Sequence, residues 1–157
     1  MNLIGKTTIN PIIFYSGKIS GYVTWIVQLL MMLGVDVIVR ISYPYNDYIS
    51  YLALLLALIL IVFSLINLGR STRLGLPTES TVFKTNGLYK ISRNPMYVGF
   101  NLLTISSMIY TLNIWNVILG IYSIAVYHLI ILSEERFLEN RFGIEYSEYK
   151  LKVKRYL

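Results

Sequence analysis

From Pro95 to Ser133 the chain carries about 39 residues without a formal charge, and both borders of that run are charged. Lys84, Lys90 and Arg93 precede it, and Glu134-Glu135-Arg136 ends it. A single helix of that length, at about 1.5 Å per residue, would be about 58 Å long, nearly twice the roughly 30 Å hydrocarbon core of a bilayer. The run must therefore fold back. Leu112-Asn113-Ile114-Trp115-Asn116 is the natural break, because two Asn and a Trp suit a membrane interface and each arm keeps enough residues for a short span. Such a hairpin returns Arg93 and Glu134 to one membrane surface, although about 40 residues separate them.

Composition supports a membrane setting. Apolar residues make up 55% of the 157, and charged residues only 14%, which is not the balance of an ordinary soluble domain. Lys and Arg outnumber acids 14 to 8, but they lie between apolar stretches and not along one polar face, so orientation in a membrane explains them better than nucleic acid. Cysteine is absent, which excludes disulfides, thiolate catalysis and Cys-ligated metals. Met1 to Gly17 is mixed and has no small-residue cleavage pattern, so no signal peptide is expected there.

Taken in order, the chain offers four spans. The first is expected from Ile19 to about Val39, with Gln28 and Asp36 as its strongly polar members and Asp36 among headgroups beside Arg40. Residues up to Gly17 could form an extra interfacial segment. Pro44 and the Tyr residues of Ser42 to Asp47 mark an interfacial loop, and Tyr48 to Leu68 is the clearest span. Gly69 to Ser80 is too punctuated by Gly and Pro to be one regular helix. The hairpin arms, about Met96 to Leu112 and Ile114 to Ser133, are the third and fourth spans. Glu134 onward reads as a helix leaving the membrane and breaking near Gly143. An amphipathic tail follows, in which Tyr146, Tyr149, Val153 and Tyr156 alternate with Lys150, Lys152, Lys154 and Arg155, suited to an anionic surface or to covering the hairpin mouth.

The fold class expected is thus all-α, a polytopic integral membrane bundle of about four transmembrane helices with a cytoplasmic C-terminal amphipathic helix. Four spans place thirteen of the fourteen Lys and Arg on one side, which puts both termini and the Arg93 loop in the cytoplasm. Residues 1–157 read as one unit, with 1–68 supplying N-terminal spans and 69–157 the chemistry.

Arg93 precedes Asn94-Pro95, and Pro95 suits the first turn of a span. A guanidinium and free backbone N–H groups at that helix start can hold an anion; the bland reading is an Arg that only flanks the membrane. Glu134-Glu135 sits awkwardly at the positive end of a span. One acid facing the hairpin mouth can bind an ammonium; the bland reading of the pair is a solvated helix segment with Glu135 and Glu139 on one face. His128, the sole histidine, lies two turns before Glu135 and fits either a site or a packing hydrogen bond. No second His or acidic cluster stands at ligand spacing, so no protein-bound metal is expected, and there is no P-loop or strand-borne GxGxxG.

At these residues the chain resembles a known family. Gly87-x-Tyr89-x-x-x-Arg93-Asn94-Pro95-Met96-Tyr97-x-Gly99, then Glu134-Glu135-x-x-Leu138-x-x-x-Phe142-Gly143-x-x-Tyr146-x-x-Tyr149-x-x-x-Val153-x-Arg155, is similar to the isoprenylcysteine carboxyl methyltransferases and their wider relatives, the phospholipid methyltransferases. The resemblance covers about Gly69 to Arg155. It implies an integral membrane methyltransferase that uses S-adenosylmethionine without a Rossmann domain. By position, Tyr89, Arg93, Asn94, Pro95 and Tyr97 would form one wall of the cofactor pocket, Glu134 and Glu135 the other, and Tyr146, Tyr149 and Arg155 the lid, with Arg93 and Glu134 nearest the chemistry. Asn94 stands where eukaryotic members have His, and Asn cannot titrate.

The residue types agree with that implication. A carboxylate, an ammonium and a sulfonium call for a cation, an anion and an aromatic slot, which Arg93, a Glu of the pair and the nearby Tyr residues supply. The partners expected are the lipid bilayer and an amphiphilic acceptor, a carboxylate, thiol or lipid amine, entering sideways from lipid. Two other classes remain open. A membrane reductase using NADPH would share the Arg-x-Pro-x-Tyr entry but need a cationic cluster for the 2′-phosphate, for which Arg70, Arg73 and Lys84 are the spares. A non-catalytic membrane scaffold would suit the Asn94 departure.

Overall fold

The computed structural model describes residues 9–69 and 85–157. Arg70, Arg73 and Lys84, most of the Gly69 to Ser80 loop and the first eight residues lie outside the described part. Among the described residues the regular structure is helical: α1 (Pro11–Met32), α2 (Asn46–Leu68), α3 (Pro95–Thr111), α4 (Ile114–Phe142) and α5 (Ile144–Lys152). A 3-10 turn, Gly87–Lys90, leads into α3, and a single parallel bridge joins Ser92 to Lys154.

Among the described residues two helices, α2 and α4, are long and apolar enough to cross a membrane. The way α2 is buried argues for lipid around it. Ser50, Ala57 and Ser64, seven residues apart, are fully buried, while Leu52, Leu55, Val62, Phe63 and Ile66 face outward. Small residues inside and large apolar residues outside is the pattern of helices packed in a bilayer, where close backbone approach holds the contact. Gly99 of α3 lies against α2 so closely that a Cβ there would stand 3.1 Å from the Ala57 carbonyl oxygen.

The first helix differs from its expected bounds. It begins at Pro11 and not at Ile19, because Asn10 accepts the Ile12 N–H at 2.9 Å and Pro11 fills the first turn, a complete start signal. It ends at Met32, followed by Gly34 at a φ of +84°, so Asp36 lies in the linker and not in a span. Arg40 pairs with Asp47, not Asp36, and its guanidinium covers the Tyr110 ring at 4.0 Å. The residues up to Gly17 expected as a possible separate segment are, from Pro11 on, the first turns of α1.

α1 runs antiparallel to α4 at very short range. Added Cβ atoms at Gly17 and Gly21 would stand 2.3 Å from Val126 Cγ1 and 2.5 Å from Ser123 Oγ. Ser20 Oγ donates to the Leu119 carbonyl at 2.7 Å across the same seam. Gly17→Leu is therefore expected to force the helices apart and lower stability by about 1–3 kcal/mol, the usual penalty of overpacking. Thermal unfolding in detergent should show a clear fall in Tm for Gly17→Leu and almost none for Val23→Ala on the exposed side.

Deeper in the bundle, Gln28 Nε2 donates to Ser106 Oγ at 2.8 Å and Ser50 Oγ at 3.1 Å, tying α1, α2 and α3 together. Such polar contacts inside a bilayer contribute about 0.6–2 kcal/mol each. The hairpin turns where its sequence suggested: Leu112 takes a left-handed φ of +45°, and Asn113 caps α4 by accepting the Trp115 and Asn116 N–H groups. α4 continues as one helix through Glu134 to Phe142. Its 29 residues correspond to about 43 Å, so its last turns stand beyond a roughly 30 Å hydrocarbon core.

Candidate active site

The segment entering α3 is fixed from two sides. Gly87, at a φ of +62°, lies against the end of α2, where a Cβ would meet the Asn67 side chain at 2.3 Å. From the other side the tail closes on it: the Tyr149 hydroxyl donates to the Tyr89 carbonyl at 2.5 Å, and the Arg93 N–H to the Lys154 carbonyl at 2.9 Å. Burial, with Arg93 opposing it and Glu135 adding to it, pushes the Tyr149 phenol up to about 12, so it stays a donor at any ordinary pH.

The fold-back brings Arg93 and Glu135 into contact. Arg93 forks onto the carboxylate through Nε at 3.1 Å and Nη2 at 3.2 Å, while its Nη1 donates to the Val153 carbonyl at 2.7 Å and the Lys150 carbonyl at 3.3 Å. Arg155 binds the same carboxylate through Nε at 3.1 Å and Nη2 at 3.0 Å. Asn94 Nδ2 completes the cluster, 3.0 Å from Glu135 Oε1 and 3.2 Å from the Arg155 carbonyl. Glu135 is 4% exposed, so one carboxylate from α4 joins the start of α3 to the end of the tail in a nearly dry setting. The guanidinium expected to face a ligand's carboxylate thus has its donors directed at Glu135 and tail carbonyls.

Glu134 does something else. Adjacent helix positions point about 100° apart, so the two acids cannot serve one wall alike. The Tyr97 hydroxyl donates to Glu134 Oε1 at 2.8 Å, and Oε2 has no hydrogen bond among the described residues. Beneath it an aromatic column joins α1, α3 and α4: Tyr97 lies 5.7 Å and Phe100 5.9 Å from Tyr127, and Trp25 lies 5.5 Å from Phe100. α3 itself starts without a side-chain cap, and the Met96 and Tyr97 N–H groups meet no acceptor among the described residues. An open carboxylate oxygen, uncapped helix N–H groups and aromatic faces are therefore close together at the hairpin mouth.

The other candidates have structural partners. Tyr146 and Tyr149 pack with Val153 against Leu138 and Phe142, holding α5 on α4. His128 Nδ1 lies 2.5 Å from the Tyr156 hydroxyl, so it anchors the end of the tail and not a neighbouring helix. Pro95 is fully buried at the first turn of α3. A groove of about 400 Å³, lined by Lys90, Glu145, Glu148, Tyr149 and Lys152, lies elsewhere along α5. Sequence reasoning passed over Trp25, Phe100 and Tyr127; their signal was an aromatic in each of three neighbouring spans.

Fold and site together define a helical membrane protein whose charged mouth is formed by a hairpin and tied by its C-terminal tail. Residues 45–145 match the family model described as phospholipid methyltransferase, and because that match covers well over half of the chain, the protein belongs to the phospholipid methyltransferase family. The isoprenylcysteine carboxyl methyltransferase-like membrane enzymes fall in this family. A search of curated proteins returns no match. The matched range contains the whole of α2, α3 and α4, with the residues from Tyr89 to Glu135, and leaves out α1.

Proposed function

We propose that the protein is a multi-pass membrane methyltransferase that passes the methyl group of S-adenosylmethionine to a hydrophobic or amphiphilic acceptor at the cytoplasmic face. When bound, the cofactor supplies a sulfonium-activated methyl group, whose bonding electron pair stays with sulfur as the acceptor's lone pair forms the new bond. The observation that carries this reading is the pair of groups at the mouth with no partner among the described residues, Glu134 Oε2 and the uncapped N–H groups of α3, inside the family-matched segment.

Those groups fit the cofactor's chemistry. Glu134 would hold the ammonium, with Tyr97 fixing the carboxylate's other oxygen; the α3 N-terminus would receive the carboxylate; Tyr97 and its aromatic neighbours would face the sulfonium. Arg93, Asn94 and Glu135 act as positioning residues, holding the Tyr89–Tyr97 wall and the Tyr146–Tyr149 tail at a fixed separation. With the reacting atoms aligned and water kept out, in-line transfer needs little further help from an acid or base when the acceptor is a carboxylate. Four spans with both termini cytoplasmic suit the charge distribution, because thirteen of fourteen Lys and Arg then share one side.

Calorimetric titration of the detergent-purified protein separates the readings. Micromolar binding of S-adenosylhomocysteine with no binding of NADPH is the expected result. NADPH binding alone would replace it with a reductase, and binding of neither with a scaffold.

A further inference from the structure

Lys18 is the sole charged residue of α1. Its ammonium lies 4.1 Å from the centre of the Phe14 ring, one turn earlier, so the side chain runs back toward the start of the helix and the mouth. There it comes within electrostatic reach of Glu134 from α4. Yet no hydrogen bond or ion pair satisfies it among the described residues. Tyr22 and Trp25 continue the same stripe of α1 below it, their rings 5.2 Å apart, and Trp25 meets Phe100 of α3. A half-withdrawn cation with no hydrogen-bond acceptor among the described residues keeps its donors for something it binds.

What it binds follows from where it comes from. The family match begins at residue 45, so the helix carrying Lys18 lies outside the matched region, which holds the residues assigned above to the methyl donor. The acceptor is left for α1. We propose that Lys18 is a specificity residue that holds the anionic headgroup oxygen, carboxylate or phosphate, of a membrane amphiphile whose chain lies along the Tyr22–Trp25 stripe. This assignment rests on the methyl-transfer reading.

Trp25 and Trp115 are the only tryptophans, so a Trp115→Phe background makes Trp25 a reporter beside the predicted chain. In nanodiscs of that protein, its fluorescence is titrated with brominated-chain oleate, phosphatidate and phosphatidylcholine, and S-adenosylhomocysteine affinity is measured in parallel. At least one anionic probe should quench at about tenfold lower concentration than phosphatidylcholine, and which one tells carboxylate from phosphate. Lys18→Gln should remove the preference and Lys18→Arg restore it, with S-adenosylhomocysteine affinity within about twofold throughout. Equal quenching by all three probes, or a preference that survives Lys18→Gln, overturns the assignment. So does loss of S-adenosylhomocysteine affinity in Lys18→Gln, which would place Lys18 on the cofactor. If the unmodified chain binds no S-adenosylhomocysteine, methyl transfer falls first and the acceptor role with it, whatever the quenching shows.

Discussion

Replacing Glu135 with alanine is expected to lower stability by about 3–5 kcal/mol, the range for removing one partner of a buried ion pair. The reason is in the count of what depends on it. Two guanidinium groups and the Asn94 amide converge on one carboxylate that is 4% exposed, and the Arg93 side chain is itself 9% exposed. Without the acid, the buried Arg93 guanidinium faces a second cation, the partly exposed Arg155, and the carbonyl bonds from Arg93 to Val153 and Lys150 cannot neutralise it. The tail should then detach first. Trypsin should cut near Lys150 to Arg155 much faster in Glu135→Ala than in the unmodified chain, and S-adenosylhomocysteine affinity should fall by more than about tenfold because the pocket walls are no longer held. Arg93→Ala should do the same from the other side. A Glu135→Ala protein that melts normally and keeps a protected tail would show that the cluster is ornamental and that packing by Tyr146 and Tyr149 alone holds α5.

The hairpin was legible because length and charge leave a chain little choice: an uncharged run too long for one crossing has to turn, and only one stretch in it has turn chemistry. The break at Gly143 was legible for a similar local reason. The start of α1 was not, because a lysine inside an apolar segment suggests a boundary, whereas a long flexible side chain can carry its charge back to the surface. There the Asn10-Pro11 start signal outweighs the charge. The Gly17 and Gly21 contact with α4 also escaped, since it depends on which helix lies opposite. The division between Glu134 and Glu135 is of this second kind. Both acids were identifiable at the mouth, but which one meets Arg93 depends on the rotation of α4 about its axis, set by Gly17, Gly21 and Phe14 packing at Val126, Ser123 and Ile130. Arg93 accordingly serves the fold, and the open carboxylate is its partner's neighbour.

That division makes Glu134→Gln the sharper test of function. The substitution keeps the size of the side chain and leaves an oxygen for the Tyr97 hydroxyl, so unfolding temperature should hardly move. The charge that would receive an ammonium is gone, and S-adenosylhomocysteine affinity should drop by more than about tenfold, or about 1.4 kcal/mol, with methyl transfer falling at least as far. Tyr97→Phe, which keeps the ring and the charge but frees the second oxygen, should cost less than Glu134→Gln in affinity. The double variant should fall short of the sum, because both changes act on one carboxylate. Normal affinity in Glu134→Gln alongside weak affinity in Glu135→Ala would reverse the roles, making the buried cluster the binding site and Glu134 a bystander. Stability separates the two cases, since only an acid outside the tail's anchoring cluster can be neutralised without loosening the tail.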